Sequence, residues 1–325
     1  MGGITCFVTG ATGFVGRALC EELLARRYLV RAGVRRIDDA ARLPRHCEVE
    51  RIESVDGDTQ WRSVLRGVTT VVHLAARVHV MQDRAPDPLA AFRKVNVEGT
   101  VNLAKQAVAA GVRRFIFISS IKVNGESTLL DHPFTADDPL CPRDPYGISK
   151  HEAEKGLRQW AAKNHAEVVI IRPPLVYGPR VKGNFLRLLQ WVDRGVPLPF
   201  ANVNNRRSLV NVRNLVDLIV RCIEHPAAAG ETFLVSDGED VSTADLVKHL
   251  AAAMGRRPRL FPVPLSASHV ALNVMGKDDL WQRLFGSLQV NCEKTKKLLG
   301  WTAPVALSAG LEEVAGWYLR SKSSG

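Results

Sequence analysis

Through the first half of the chain, short apolar runs rich in β-branched residues alternate with longer stretches in which apolar positions recur every three or four residues. The runs at 4–9, 28–34, 48–52, 70–74, 114–119 and 167–172 have the length and composition of buried strands. The stretches at 14–27, 88–110 and 146–163 have the one-sided periodicity of helices packed on a sheet, and Gly111 after Ala109-Ala110 marks a helix stop. Strict alternation of this kind predicts an α/β fold, a doubly wound parallel sheet covered by helices on both faces.

The texture changes after Pro173-Pro174-Leu175-Val176-Tyr177-Gly178-Pro179. Helical periodicity reappears at 184–194, 212–225, 242–254 and 292–299, with a strand-like run at 231–235, but the connections are longer and richer in proline and glycine. The expected organisation is a first domain over 1–175, with later return segments near 208–236, and a smaller, partly interleaved second domain over 176–325. That second domain is expected to cover the carboxyl edge of the sheet, where open α/β folds bind ligands. The last residues, 321–325, read as a frayed tail.

Composition narrows the classes. A chain of 325 residues with 46% hydrophobic and 24% charged residues is that of an ordinary globular protein. No apolar run approaches the roughly 20 residues needed to span a bilayer, and no signal-peptide layout precedes the first strand, so a cytoplasmic location is expected. The six cysteines are scattered without a Cys-x-x-Cys pair or a histidine partner at metal spacing, which predicts free thiols and no metal site. The net charge of +11 raises the question of nucleic acid, but the basic residues are dispersed in short clusters such as Arg206-Arg207 and Arg256-Arg257 with no aromatic ladder between them. A solvated surface with a few contacts to phosphate-bearing small molecules fits this distribution better.

Two motifs carry candidate chemistry. Gly10-Ala11-Thr12-Gly13-Phe14-Val15-Gly16 stands between a strand and a helix, where backbone N–H groups and the positive helix end can approach a dinucleotide pyrophosphate unobstructed. Far downstream, Tyr146 and Lys150 are four residues apart, on one face of a helix, where the ammonium can stabilise a phenolate. Ser119 and Ser120 close an apolar run shortly before the tyrosine, and either could hydrogen-bond a reacting oxygen. These features together describe a Rossmann-type site that can hold a dinucleotide and move a proton, which makes 1–175 the dinucleotide-binding domain and 176–325 mainly the substrate-binding domain. Arg77 to Met81, with His79, follow the fourth run and read as a polar loop, and the stretch 261–285 with Trp281 reads as packing over the cleft.

The spacing Gly10-x-x-Gly13-x-x-Gly16, with Tyr146 and Lys150, His73-Leu74-Ala75-Ala76, Asn96-Val97-Glu98-Gly99-Thr100, Arg172-Pro173-Pro174 and the late Leu299-Gly300-Trp301, resembles the extended short-chain dehydrogenase/reductases. Within that family it resembles the nucleotide-sugar epimerases, dehydratases and reductases. The resemblance implies that Tyr146 is the acid/base, that Lys150 binds the nicotinamide ribose and lowers the tyrosine pKa, and that Ser120 holds the reacting oxygen. It implies cofactor contacts at Gly10, Gly13, Phe14, Val15, Gly16, Ser54, Leu74, Ala75, Ala76, Asn96, Ser119 and Pro173. A helix-paired homodimer is common among such relatives.

The chain departs from the family's NAD-users at the end of the second strand. Arg35 and Arg36 replace the acid that usually meets the adenosine ribose, and an arginine there suits a 2′-phosphate. NADP is therefore favoured over NAD, the alternative being solvated arginines with Asp38 or Asp39 reaching the ribose. Ser54 stands where relatives commonly carry an aspartate near the adenine.

Family dehydratases have Thr-Asp-Glu where this chain has Ser120-Ile121-Lys122, so dehydration lacks its acid pair. Asn124 stands where many epimerases have tyrosine, and this stretch resembles reductases of UDP-4-keto-6-deoxy-N-acetylhexosamines in surface polysaccharide synthesis. The expectation is a 4-ketoreductase, with a UDP-hexose 4-epimerase as the alternative and a non-enzymatic dinucleotide sensor as a remote one. Asn184, Arg207 and Arg283 are the residues that the resemblance brings to the UDP pyrophosphate; Arg213 has no functional account.

Overall fold

The computed structural model of the protein describes residues 3–78, 86–264 and 278–323, together with 269 and 273. Residues 79–81, with His79, lie outside this set, as do part of the 261–285 stretch and the last two residues.

One parallel sheet of seven strands forms the centre: β1 (Thr5–Thr9), β2 (Leu29–Val34), β3 (Glu48–Arg51), β4 (Thr70–His73), β5 (Arg114–Ile118), β6 (Glu167–Arg172) and β9 (Thr232–Leu234). Their spatial order is β3-β2-β1-β4-β5-β6-β9, so the winding reverses direction between β1 and β4. A crevice must open beyond the carboxyl ends of those two strands, because the connections leave to opposite sides there. Alternating side chains fill both faces. Cys6 and Val8 pack with Leu19 and Leu23 of helix α1 (Phe14–Ala25) and Leu215 and Ile219 of α6 (Val212–Glu224). Phe7 faces the other way, into a core with Trp61, Leu103 of α3 (Thr100–Ala109) and Leu157 of α4 (Pro145–Asn164).

The later half builds a second core and a small sheet. Strands β7 (Leu175–Tyr177) and β8 (Arg207–Asn211) pair in parallel, and β10 (Asp240–Val241) pairs antiparallel with β8. Helices α5 (Gly183–Asp193), α7 (Thr243–Ala253) and α10 (Leu307–Ser323) pack around Tyr177, Leu189, Leu250 and Leu311. The chain returns to the large sheet through α6 and β9, whereas β8 belongs to the small sheet. Two further short helices, α8 (Asp278–Phe285) and α9 (Glu293–Leu299), precede α10.

Two elements differ from the expectation. The single helix expected over 88–110 is broken into α2 (Pro88–Arg93), a π-helical turn Lys94–Gly99, and α3. The wider turn accompanies a close approach: a Cβ on Gly99 would lie 2.8 Å from the Val55 carbonyl carbon. The expected frayed tail is instead the end of α10, which runs through Ser323 and buries Leu307, Leu311, Val314, Ala315 and Tyr318 along one face. Among the described residues no helix is long and apolar enough to cross a membrane.

Candidate active site

The crevice at the switch point is a cavity of about 870 Å³. At its floor the chain leaves β1 through Gly10, whose φ of +65° is left-handed and whose added Cβ would lie 2.8 Å from the Ala75 nitrogen. Gly16 is as constrained, since a Cβ there would meet the Gly10 carbonyl oxygen at 2.2 Å. Gly10 lets the loop close against the residues that follow β4, and Gly16 lets the start of α1 close against that loop, with no side chains between them. Gly13 caps α1 with no side-chain acceptor, so the first-turn N–H groups of that helix carry no internal side-chain partner.

The same loop is fixed from below. Thr9 Oγ1 lies 2.7 Å from His73 Nδ1 and accepts from Ala75 N at 3.1 Å, and His73 Nε2 lies 3.0 Å from Thr100 Oγ1. Burial, and secondarily the charge on Lys150, push the His73 pKa down to about 3, so the imidazole is neutral and serves as a brace between β1, β4 and α3.

On the catalytic side, Ser119, Ser120, Tyr146 and Lys150 all line the cavity. Asp144 caps α4 by accepting from Gly147 N at 2.6 Å, and Pro145 begins the helix, so that Tyr146 stands in its first turn. Tyr146 meets Phe92 edge-on with ring centres 6.2 Å apart, and the Arg77 guanidinium lies over that Phe92 ring. Lys150, one turn further on, is buried; its Nζ donates to the Ile118 carbonyl at 2.7 Å and lies 4.3 Å from the Phe117 ring centre. Ser120 Oγ accepts from Lys122 N at 3.3 Å, while Ser119 Oγ is buried and has no hydrogen-bond partner among the described residues.

The electrostatics run opposite to the expectation of a lowered tyrosine pKa. Burial, followed by the negative charge of Asp144, pushes the Tyr146 phenol above its ordinary range. Burial also pulls the Lys150 pKa down to about 7, with Glu154 opposing the shift. The phenol therefore keeps its proton in the protein alone while the Lys150 ammonium is only partly retained near neutral pH, and a phenolate here needs additional positive charge from whatever binds beside it.

Of the expected cofactor contacts, Gly10, Gly13, Phe14, Val15, Gly16, Arg35, Ser54, Leu74, Ala75, Ala76, Ser119, Tyr146, Lys150 and Pro173 line the cavity. Two do not. Arg36 points outward, 3.8 Å from Asp38 with both side chains exposed. Asn96 is buried and fully used within the protein: its Oδ1 accepts from Arg77 N at 2.8 Å, and its Nδ2 donates to Arg77 O at 3.0 Å and Ser149 Oγ at 2.9 Å. Sequence reasoning missed Arg42, which lines the cavity with Asp39 and lies 3.3 Å from it. It missed Asp56 too, which lines the far end near Ser54 and accepts from Thr59 Oγ1 at 2.9 Å.

Of the expected substrate residues, Asn184 and Arg207 lie outside this cavity lining. Asn184 is exposed in the first turn of α5. Arg207 donates to the Gly286 carbonyl at 2.9 Å, and the side chain of Arg283, in α8, lies outside the described residues. Asn124, weighed from sequence as a marker of the reaction, is not in the cleft. It is buried, donates to Thr135 O at 2.9 Å and accepts from Arg172 at 3.1 Å. Arg213 is exposed, 4.0 Å from Glu313 on α10.

The cavity fits a dinucleotide on its own geometry: glycines packed where a Cβ has no room hold the loop tight beneath it, the first-turn N–H groups of α1 have no side-chain cap, and the buried Ser119 hydroxyl has no partner among the described residues. Fold and cleft thus define a Rossmann-type dinucleotide-binding enzyme. Residues 6–236 match the NAD dependent epimerase/dehydratase family, and the chain belongs to that family. It is 47% identical over 321 residues to a UDP-glucose 4-epimerase of Vibrio cholerae, covering 97% of this chain and 96% of that protein. It is 29% identical to the N-acetyl-α-D-glucosaminyl-diphospho-ditrans,octacis-undecaprenol 4-epimerase of Escherichia coli O157:H7, over 93% of this chain and 92% of that one. Among solved structures, MoeE5 in complex with UDP-glucuronic acid and NAD superimposes with a TM-score of 0.77 at 26% identity, covering 98% of this chain and 99% of the other.

Proposed function

We propose that the protein is a UDP-hexose 4-epimerase. The observation that carries this reading is the 47% identity, along 97% of the chain, to the Vibrio cholerae UDP-glucose 4-epimerase. It replaces the 4-ketoreductase expected from sequence, whose argument rested on Asn124 and on the arginines after β2. Asn124 is spent on Arg172 and Thr135 inside the protein, so it says nothing about the sugar.

In this reading Tyr146 takes the proton from the sugar's 4-hydroxyl and returns it once the 4-keto group is reduced again. Ser120 donates its hydroxyl hydrogen to the same oxygen and fixes it beside the phenol. Lys150, buried against Phe117, holds the ribose and supplies the cation nearest the phenol. The bound nicotinamide dinucleotide supplies the hydride acceptor and donor, and Gly10, Gly13 and Gly16 with Ser119 would hold it. The UDP pyrophosphate falls to Asn184, Arg207 and Arg283. Arg35 and Arg42 at the β2 edge favour NADP over NAD, and Asp39 is the group that would serve NAD's ribose. A homodimer completes the reading.

The test uses the purified protein with UDP-glucose, UDP-galactose and their N-acetylated counterparts, with no reductant added. Interconversion at C4, lost in Tyr146→Phe, supports the epimerase. Stoichiometric NADPH consumption with a UDP-4-keto-6-deoxy-N-acetylhexosamine, and no epimerisation, would replace it with the reductase. Mass analysis of the dinucleotide released on denaturation decides between NAD and NADP.

A further inference from the structure

The turn that follows Ser120 contains a lysine that touches both halves of the site. Lys122 N donates to Ser120 Oγ at 3.3 Å. Its ammonium is hydrogen-bonded to Asp144 and lies 3.0 Å from Glu126, with all three side chains only about a fifth exposed. Asp144 in turn caps α4, where Tyr146 stands two residues later. A path of three hydrogen bonds therefore runs from the serine hydroxyl through Lys122 and Asp144 to the first turn of the tyrosine helix. A Cβ on Gly147 would lie 3.1 Å from the Lys122 carbonyl oxygen, which shows how closely the two elements approach.

We propose that Lys122 is a positioning residue whose ammonium ties the turn after Ser120 to the head of α4 and screens Tyr146 from the charge of Asp144. The proposal rests on Ser120 and Tyr146 acting as the acid–base pair. Among the described residues, Asp144 at the head of α4 is the charge that acts on the phenol; Lys150 lies one turn further along α4, Lys94 of the π-helical turn lines the same cavity, Lys122 and Glu126 of the turn after β5 act through Asp144, and α2 presents Phe92 with Arg77 stacked over it. Asp144 is the negative charge that disfavours the phenolate, and Lys122 is its counter-ion. Without the ammonium, two carboxylates face each other at the head of α4 and the phenol holds its proton more tightly.

Lys122→Met is the informative variant, because a partly exposed lysine can be lost without opening the core, and Lys122→Arg restores the charge. The protein is saturated with oxidised dinucleotide and tyrosine ionisation is followed by difference absorbance near 295 nm. The chain has four tyrosines, and Tyr28, Tyr177 and Tyr318 are all shifted upward, so Tyr146→Phe identifies the transition of interest. Lys122→Met should move that transition, and the acid limb of kcat, upward by about one pH unit, a tenfold change in phenolate population below the transition. KM should be unchanged, and Lys122→Arg should return both to the wild-type position. Superimposable titrations of wild type and Lys122→Met would overturn the proposal. A shifted titration in a protein that epimerises no UDP-hexose would leave the positioning role standing and dismiss the epimerase reading instead.

Discussion

Arg172 and Glu154 face each other inside the protein as a bidentate pair, with N···O distances of 2.9 and 2.6 Å and both side chains about 1% exposed. Arg172 ends β6, and Glu154 lies one turn beyond Lys150 on α4. The guanidinium also donates to Asn124 Oδ1 and to Ala136 O, each at 3.1 Å, so every charge in the cluster is met by a hydrogen-bond partner. The pair thus ties the helix of Tyr146 and Lys150 to the segment that follows Ser120.

Removing one partner strands the other in the core. Arg172→Met is expected to destabilise the fold by about 3–5 kcal/mol, because the buried Glu154 carboxylate loses its bidentate partner and keeps only Arg158, half-exposed and 4.0 Å away. Replacing both with Met should recover most of that loss, since the desolvation cost of the pair disappears with it. Urea unfolding of the two single variants and the double variant measures this. Equal destabilisation of single and double variants would mean that packing, not charge, holds the site.

The glycine floor gives a sharper steric prediction. At Gly16 a methyl group would meet a backbone oxygen at 2.2 Å, and backbone cannot swing aside as a flexible side chain can. Gly16→Ala should cost about 1–3 kcal/mol of stability by overpacking and weaken dinucleotide binding at least tenfold as the glycine loop is pushed from the start of α1. Thermal unfolding and calorimetric titration with the dinucleotide read the two effects separately. Wild-type affinity in a folded Gly16→Ala protein would show that the cleft does not use this floor.

Lys150 makes the stability of the dinucleotide-free protein depend on pH. Its pKa is drawn down to about 7 in the fold, against an ordinary lysine value of 10.5. Between those values the unfolded chain binds a proton at this residue that the folded chain does not, so the contribution of Lys150 to stability rises with pH. Unfolding free energy should therefore climb between about pH 7 and 9, and Lys150→Met should flatten that climb. A wild-type slope that survives in Lys150→Met would place its origin elsewhere.

What the sequence made legible was local. The spacing Gly10-Gly13-Gly16 and the four-residue interval from Tyr146 to Lys150 each fix a geometry within one turn, and the strands alternating with helices led to the parallel sheet. The residues misread are those whose partners lie far along the chain. Asn124 was weighed as a marker of the reaction because Arg172, 48 residues on, is invisible in its neighbourhood. Asn96 likewise spends its amide on Arg77 and Ser149, 19 and 53 residues away. Helix α10 is a different kind of miss. Leu307, Leu311, Val314 and Tyr318 already show the spacing of a buried helical stripe, and the polar ending at Ser321 obscured it. The small sheet gave no readable alternation because its strands are two to five residues long.

The β2 edge was half legible, and it yields the last prediction. The sequence pointed to Arg35 and Arg36, whereas the cavity is lined by Arg35 and Arg42, with Asp39 held 3.3 Å from Arg42. A 2′-phosphate here would meet two guanidiniums and a carboxylate already neutralised by one of them. Arg35→Ala and Arg42→Ala should each weaken NADP binding about tenfold and leave NAD within twofold, whereas Arg36→Ala, turned outward beside Asp38, should change neither. Raising salt should weaken NADP more than NAD, because the added contacts are ionic and partly exposed. Titration of the dinucleotide-stripped protein with both cofactors gives the comparison. If Arg42→Ala instead weakens NAD, Arg42 works by holding Asp39 toward the ribose hydroxyls, and the cleft is built for NAD.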